Sequence, residues 1–533
     1  MNNKRVVRLA DYIKKNKLSV AVISVVILTF VVNLSSILIK LGVNETISDK
    51  KKLLLEMIYI FGSLILSGIA VFLIRFIKRR ELKYEKMFLI LASFLGVVYL
   101  LLAPMFTGSD EANHYYRIYE LTDGVMVTPV EENSSGGDLP VSLTTTFVNG
   151  GGFAGDIKYV NVPEMIKVLL EKEKTMKYGY EEATFYANTS LYSPFSYLPH
   201  MIGFGIGKVF NMPPYVIGML GRLFNLICYV VIGYFAIKIM PKWKLFFLLV
   251  LICPNMIQLA STLSADAFIN AVLLLFIARI MNIRVNHIVM DYKKMVGLFV
   301  LGVVLALCKI VYIPFILFLL LIPKEQFRSK VRGKVIFTIA VGVTATAFNL
   351  LWFSKTGAII DAVYPRYALQ KDYVLTSPIE YLIIVARTCI EYFVKNVEDL
   401  FVGSRMYHTQ LMIPAVFSYF YVGLVIYALF SKEDEKVRFR LSKWERWVII
   451  LACVVVVGLI LTALYVQCTA SAYGVKYPII SGIQGRYFIP IIMCIPFIVR
   501  VKKKKKIDRN MMIGLATASS LIVWFYMFNL FII

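Results

Sequence analysis

Acidic residues are scarce in this chain: 33 Asp and Glu stand against 58 Lys and Arg, a formal net charge of +25. An excess of that size invites a nucleic-acid reading. The basic residues, however, sit in short connections between long apolar runs, the pattern the positive-inside rule produces, so a nucleic-acid partner is excluded. Histidine is scarcer still, with four in the chain, and His200, His287 and His408 have no neighbours that suggest a role. The seven cysteines are scattered, and Cys228, Cys253, Cys308, Cys453 and Cys494 fall inside apolar runs. That spacing excludes a zinc site and a disulfide framework. There is no repeat of fixed period, and no matched pair of interrupted apolar segments in two halves of the kind that points to a transporter built from inverted repeats.

What is present is apolar sequence. At 59% hydrophobic residues, with bilayer-length runs recurring from end to end, the chain reads as an all-α polytopic membrane protein. Aromatic residues, 14% of the total, are mostly core and interface belt. Lys4, Arg5, Arg8, Lys14, Lys15 and Lys17 precede the apolar run 18–39, which is too long for a signal-peptide core and reads as a signal anchor. Applying the positive-inside rule from there gives about thirteen transmembrane helices, a cytoplasmic N-terminus and an external C-terminus. Residues 1–86 form a two-helix extension and 87–533 the core. The core carries one large external loop, 107–214, and a second, 354–410, each bearing an interfacial helix. Between 107 and 192 acids outnumber bases thirteen to six, the reverse of the inner loops. This loop holds a Gly-rich turn at 148–153 and a short helix at 163–178 opened by a proline, and it reads as a folded cap. The run 244–257 reads as a span, and 295–307 and 310–321 as a pair of short spans with Lys309 at the turn between them.

The chemistry concentrates where the third apolar run ends: Thr107-Gly108-Ser109-Asp110-Glu111-Ala112-Asn113-His114-Tyr115-Tyr116-Arg117. On a helix, Asp110 and His114 share a face, and Glu111, His114 and Arg117 share an edge. Such a group can accept a proton, bind a divalent ion through Asp110, Glu111 and His114, or both. The competing reading is a solvated interface just past a membrane helix, and the two are separated by whether these groups converge with others.

The topology puts Asp110, Glu111, His114, Arg222, Asp266, Lys309, Arg366 and Arg486 on the external side. Carboxylates suit a base that takes a proton from a hydroxyl; Arg222, Lys309 and Arg486 suit a phosphate at headgroup level. Asp266 could instead cap the helix after it, and Arg222 and Arg486 could anchor to lipid headgroups. Lys309 is harder to explain away, because it interrupts an apolar stretch, 297–322, where a mid-helix charge would cost about 3 kcal/mol.

Several of these residues, in order, carry a resemblance. Asp110-Glu111, the Pro194-Phe195-Ser196-Tyr197-Leu198-Pro199 piece, Gly221-Arg222-Leu223-Phe224-Asn225, Ser264-Ala265-Asp266 and Gly485-Arg486-Tyr487-Phe488-Ile489-Pro490 resemble a bacterial family of polytopic membrane proteins. That family looks like a branch of the GT-C glycosyltransferases, the group that includes protein mannosyltransferases and the lipid A aminoarabinose transferase. The resemblance implies an inverting transferase of the cell envelope that uses a polyprenyl-phosphate-linked sugar and an external glycan, glycolipid or protein acceptor. No cofactor is required, and a divalent cation is optional. It implies Asp110 or Glu111 as the acid of the first external loop, acting as base, Asp266 as the second external acid, Arg222 as the arginine of the second core helix, and Lys309 and Arg486 at the lipid phosphate; His114, Arg117, Arg366 and Tyr487 are further candidates around the substrate. The chain departs from the pattern in its two extra N-terminal spans and in lacking a tryptophan-rich acceptor motif, which argues against protein N-glycosylation. A lipid-linked glycan flippase and an envelope glycan polymerase are the alternatives.

The sidedness is directly measurable. In a cysteine-free background, Ser109→Cys and Ser481→Cys are expected to react with a membrane-impermeant maleimide added outside intact cells, and Lys436→Cys only after permeabilisation. Labelling of 109 and 481 from opposite sides would end the shared-site reading.

Overall fold

The computed structural model describes residues 49–103, 105–106, 108–131, 134–136, 138–140, 175–177, 187–403, 413–432, 437, 439–501 and 506–532. The first expected span, the Gly-rich turn and residues 163–174 of the expected loop helix lie outside them. The described chain is predominantly helical, with two small antiparallel strand pairs, Val130–Glu131 with Ser134–Ser135 and Asp138–Pro140 with Thr175–Lys177. Residues 175–177, assigned from sequence to the end of a helix, are therefore extended and paired.

Continuous apolar runs become long helices. These are α1 (Asp49–Arg79), α2 (Tyr84–Leu102), then, past the site stretch, α3 (Glu111–Thr122), the short α4 (Ala187–Ser190), α5 (Leu198–Val209) and α6 (Pro214–Ile239). Prolines set several starts: Pro199 lies in the first turn of α5 and Pro214 opens α6, positions where a missing N–H costs no hydrogen bond.

Pro254 explains one departure from the sequence reading. Residues 244–257 do not form one span but two short helices, α7 (Lys244–Leu251) and α8 (Pro254–Ala260). Proline cannot continue the ladder, Cys253 before it is extended, and its sulfur caps the new helix by accepting from Met256 N–H. Next come α9 (Asp266–Val285), α10 (Tyr292–Cys308) and a 3₁₀ segment, Ile310–Leu321, with Lys309 extended between them. At about 1.5 and 2.0 Å per residue, the last two are each near 25 Å long, short of a hydrocarbon core about 30 Å thick.

The remaining helices are α11 (Lys330–Val363), α12 (Tyr367–Thr376), α13 (Pro378–Phe401), α14 (Ala415–Ala428), α15 (Lys443–Leu464), α16 (Ala470–Tyr473), α17 (Ile489–Ile498) and α18 (Arg509–Ile532). A π-helical turn, Tyr465–Thr469, joins α15 to α16, and a 3₁₀ turn, Gly485–Phe488, leads into α17. α12 and α13 meet at 104°. Among the described residues, six helices are long and apolar enough to cross a membrane, or seven if that bent pair is one span. This is a multi-helix membrane protein, and the figure of thirteen spans is finer than these helices support.

α6 is the central post, packed against α2, α5 and α9. Its crossing with α5 is close: a Cβ on Gly203 would lie 2.4 Å from the backbone oxygen of Leu220, and one on Gly221 2.4 Å from the Phe204 ring. α9 runs from Asp266 at one end of the bundle to Arg284 at the other. There the guanidinium binds Glu445 at 2.5 Å and Leu321 O at 2.6 Å, tying α9, the 3₁₀ segment and α15 together.

The α5–α6 contact yields a paired test. Gly203→Ala should lower thermal stability in detergent by about 1–3 kcal/mol, because backbone must move. Gly205→Ala, with nothing within 4 Å of its Cβ, should not. Equal losses would show that the glycine spacing does not set this crossing.

Candidate active site

The site begins with a sharp change of direction at Asp110. Its backbone is left-handed, φ 58° and ψ 16°, a conformation that Asp adopts more readily than most residues. Consecutive carboxylates therefore part. Glu111, first residue of α3, turns into the bundle and Asp110 stays at its end.

Glu111 meets Arg222 of α6 in a bidentate pair, Nε to Oε1 and Nη2 to Oε2, both 2.6 Å. Both side chains are buried, and each also bonds to backbone. Arg222 Nη1 donates to Ala103 O at 2.8 Å, while Glu111 accepts from Gly108 N–H at 3.0 Å and Leu263 N–H at 3.1 Å. The end of α2, the start of α3, α6 and the turn before α9 are thus joined at one point. Glu111 and Arg222, both candidates for substrate chemistry by sequence, are occupied with each other and with backbone.

Asp110 faces the other way. Arg486 Nη2 donates to its Oδ2 at 2.9 Å; Arg486 Nε lies 3.4 Å from Asp266 Oδ2; Lys309 Nζ donates to Asp266 Oδ1 at 2.9 Å. Tyr487 flanks both cations, with Lys309 Nζ 5.0 Å and the Arg486 guanidinium carbon 5.5 Å from its ring centre. Charges from four separate stretches of sequence converge in one alternating cluster. Asp266 does not cap α9; that hydroxyl role falls to Ser264, which accepts from Asp266 N–H at 3.3 Å.

Lys309, Asp266 and Arg486 are held by groups to which the sequence reading gave no role. Ser193 and Ser196 donate to Leu307 O and Cys308 O at 2.5 and 2.7 Å, binding the last carbonyls of α10 just before Lys309. Asn225, one turn beyond Arg222, donates to Leu259 O, Thr262 O and Ser264 O at 3.0, 2.9 and 3.2 Å and so fixes the turn that presents Asp266. Asp399 accepts from Gly485 N–H at 2.7 Å, and Asn255 donates to Asp399 O and Leu400 O at 3.1 and 2.9 Å. Gly485 is required by contact, since a Cβ there would lie 2.6 Å from Asp399 C. Arg486 leaves from that clamp.

Other candidates point elsewhere. Arg117 is buried, paired with Glu120 and donating to Met126 O at 2.8 Å and to Thr128 Oγ1 at 3.3 Å, so it ties the segment that follows α3 back to that helix. Arg366 donates to Ala470 O at 3.3 Å. His114 is buried beneath the cluster, its Nδ1 2.7 Å from the Tyr197 hydroxyl. Burial pushes its imidazole down to about 4, more than nearby Asp110 and Asp266 raise it, so it is neutral at pH 7. Tyr192, beside His114, is pulled down by Lys309, but burial and the Asp266 and Asp110 carboxylates hold its phenol above the ordinary value. As a metal set, Asp110, Glu111 and His114 do not fit. They face Arg486, Arg222 and Tyr197, and no group of three or more His, Cys, Asp or Glu suited to a metal occurs among the described residues.

A bundle of apolar helices with one buried, mixed-charge cluster at its end defines a membrane protein with a polar site set at the ends of its spans. The chain belongs to a family described as a predicted membrane protein, DUF2142, whose model matches residues 91–495, a range that contains every residue of the cluster. No curated protein and no solved structure matches it.

If Glu111 and Arg222 are a structural pair, Glu111→Ala or Arg222→Ala should each cost about 3–5 kcal/mol, because each strands a buried charge. Glu111→Gln with Arg222→Met together should cost less than either truncation. Thermal unfolding in nanodiscs reads this out, and single variants of wild-type stability would show that the pair does not hold the bundle.

Proposed function

We propose that this protein is a membrane glycosyltransferase that moves a sugar from a polyprenyl-phosphate donor to an acceptor hydroxyl on the extracytoplasmic side, in envelope glycan assembly. The observation that carries the reading is the Asp110, Arg486, Asp266 and Lys309 cluster, in which the more open carboxylate, Asp110, pairs with Arg486 while the more enclosed Asp266 lies against both cations. The resemblance to GT-C enzymes in the order of the same motifs supports it.

On this reading Asp110 is the base, since Glu111 is consumed by Arg222. The acceptor oxygen attacks the anomeric carbon as its proton passes to Asp110, and the bond from that carbon to the phosphate oxygen breaks from the opposite face, inverting the configuration. The donor phosphodiester, with one negative charge, becomes a phosphomonoester with two, while Asp110 loses one. The total is unchanged and charge moves from the carboxylate to the phosphate. Lys309 and Arg486 lie where that charge grows and stabilise it without reorganisation. Asp266 keeps both cations in place, and neutral His114 and Tyr192 offer hydrogen bonds without adding charge.

Purified protein supplied with a polyprenyl-phosphate-linked sugar should release free polyprenyl phosphate. Asp110→Asn at normal abundance should lower that release by about 10²-fold or more, from loss of general-base catalysis. Movement of intact donor across a bilayer would mark a flippase instead, and extension of a diphosphate-linked glycan a polymerase. Full activity in Asp110→Asn would remove the base.

A further inference from the structure

We infer that the donor phosphate itself unmasks the base: it takes Arg486 away from Asp110, so the acceptor is activated only after the donor is seated. This rests on the donor proposed above. Arg486 and Lys309 are already neutralised by Asp110 and Asp266, one for one, in a cluster whose side chains are only 7–21% exposed. An added anion cannot be accommodated there without displacing one carboxylate, because uncompensated charge at such a site is expensive.

Which carboxylate yields follows from geometry. Asp266 touches both cations, 2.9 Å from Lys309 and 3.4 Å from Arg486, and its side chain is 12% exposed. Asp110 faces Arg486 at 2.9 Å, is 21% exposed, and sits on a left-handed residue at the mouth of the cluster. Asp110 is the group that can swing out to solvent. Once it leaves Arg486 it is a more basic carboxylate, since a neighbouring guanidinium lowers its proton affinity. A bare site therefore holds its base inactive, and the anion that must be present for transfer is also the one that releases it.

The test is binding of polyprenyl monophosphate to the full-length protein in nanodiscs, with the uncharged polyprenol as reference, for wild type, Asp110→Asn and Asp266→Asn. Asn also tolerates the left-handed backbone, so Asp110→Asn should fold, and its melting temperature verifies this. Asp110→Asn should bind the phosphate about tenfold or more tightly than wild type, because no carboxylate has to be displaced. Asp266→Asn should stay within about threefold of wild type or weaken, because it frees cations but unseats them. Equal tightening in both variants, or none in Asp110→Asn, overturns the inference while leaving the transferase reading intact. No preference for phosphate over polyprenol in any of the three proteins removes the donor reading and this inference with it.

Discussion

The buried pair between Glu111 and Arg222 is the contact on which the rest of this end of the molecule depends. It binds the close of α2, the head of α3, α6 and the turn before α9 through five hydrogen bonds made by side chains with almost no exposure to solvent. Buried ion pairs seldom add net stability over apolar packing of the same volume, but they are intolerant of misregistration, because a displaced partner leaves a charge in a low-dielectric interior. The pair therefore acts as a register pin. With α3 pinned, Asp110 can stand in a strained left-handed turn; with the turn before α9 pinned, Asp266 arrives on the same side as Asp110.

Around that pin, polar side chains act on backbone. Asn225 gathers three carbonyls of one turn, Ser193 and Ser196 bind the last carbonyls of α10, and Asp399 holds the amide of Gly485. In each case the charged residue follows within a few positions of the group that is held. Fixing the main chain is an economical way to aim a long cation, since Lys and Arg otherwise lose considerable rotamer freedom on binding. Asp399 excepted, the side chains that hold the main chain beside Asp266, Lys309 and Arg486 carry no charge.

What the sequence disclosed follows from this division. Asp110, Asp266, Lys309 and Arg486 were legible because each is a charge at a break in an apolar run, where lipid makes an ionisable group conspicuous. The partition of Asp110 from Glu111 was not, because a helical reading of 110–114 sets the two side by side around His114, whereas Asp110 stands outside α3 on a left-handed backbone. Arg117 and Arg366 looked equivalent to Arg486 by type and position, yet their partners are Glu120, Thr128 and backbone carbonyls, those of Met126 and Tyr192 for Arg117 and of Ala470 for Arg366, which pattern alone does not reveal. Hydropathy gives the spans only coarsely where apolar composition conceals a break: Pro254 splits one run, and Pro314 lies within a 3₁₀ segment that hydropathy cannot distinguish from an α-helix.

The family match covers the whole cluster and assigns membrane character, so chemistry has to be argued from the charges themselves. A conduction or transport path through the bundle would need polar groups along its length, whereas the mixed-charge cluster sits at one end and the Arg284 and Glu445 pair at the other, separated by the apolar length of α9. On the proposed reading, two acids and two cations set side by side, one acid more exposed than the other, would serve a reaction that begins and ends at the same net charge but moves that charge across the site. Proton abstraction coupled to departure of a phosphate is such a reaction. The asymmetry between Asp266, shared by both cations, and Asp110, at the rim, is what gives the cluster a direction, from the open carboxylate toward the enclosed cations.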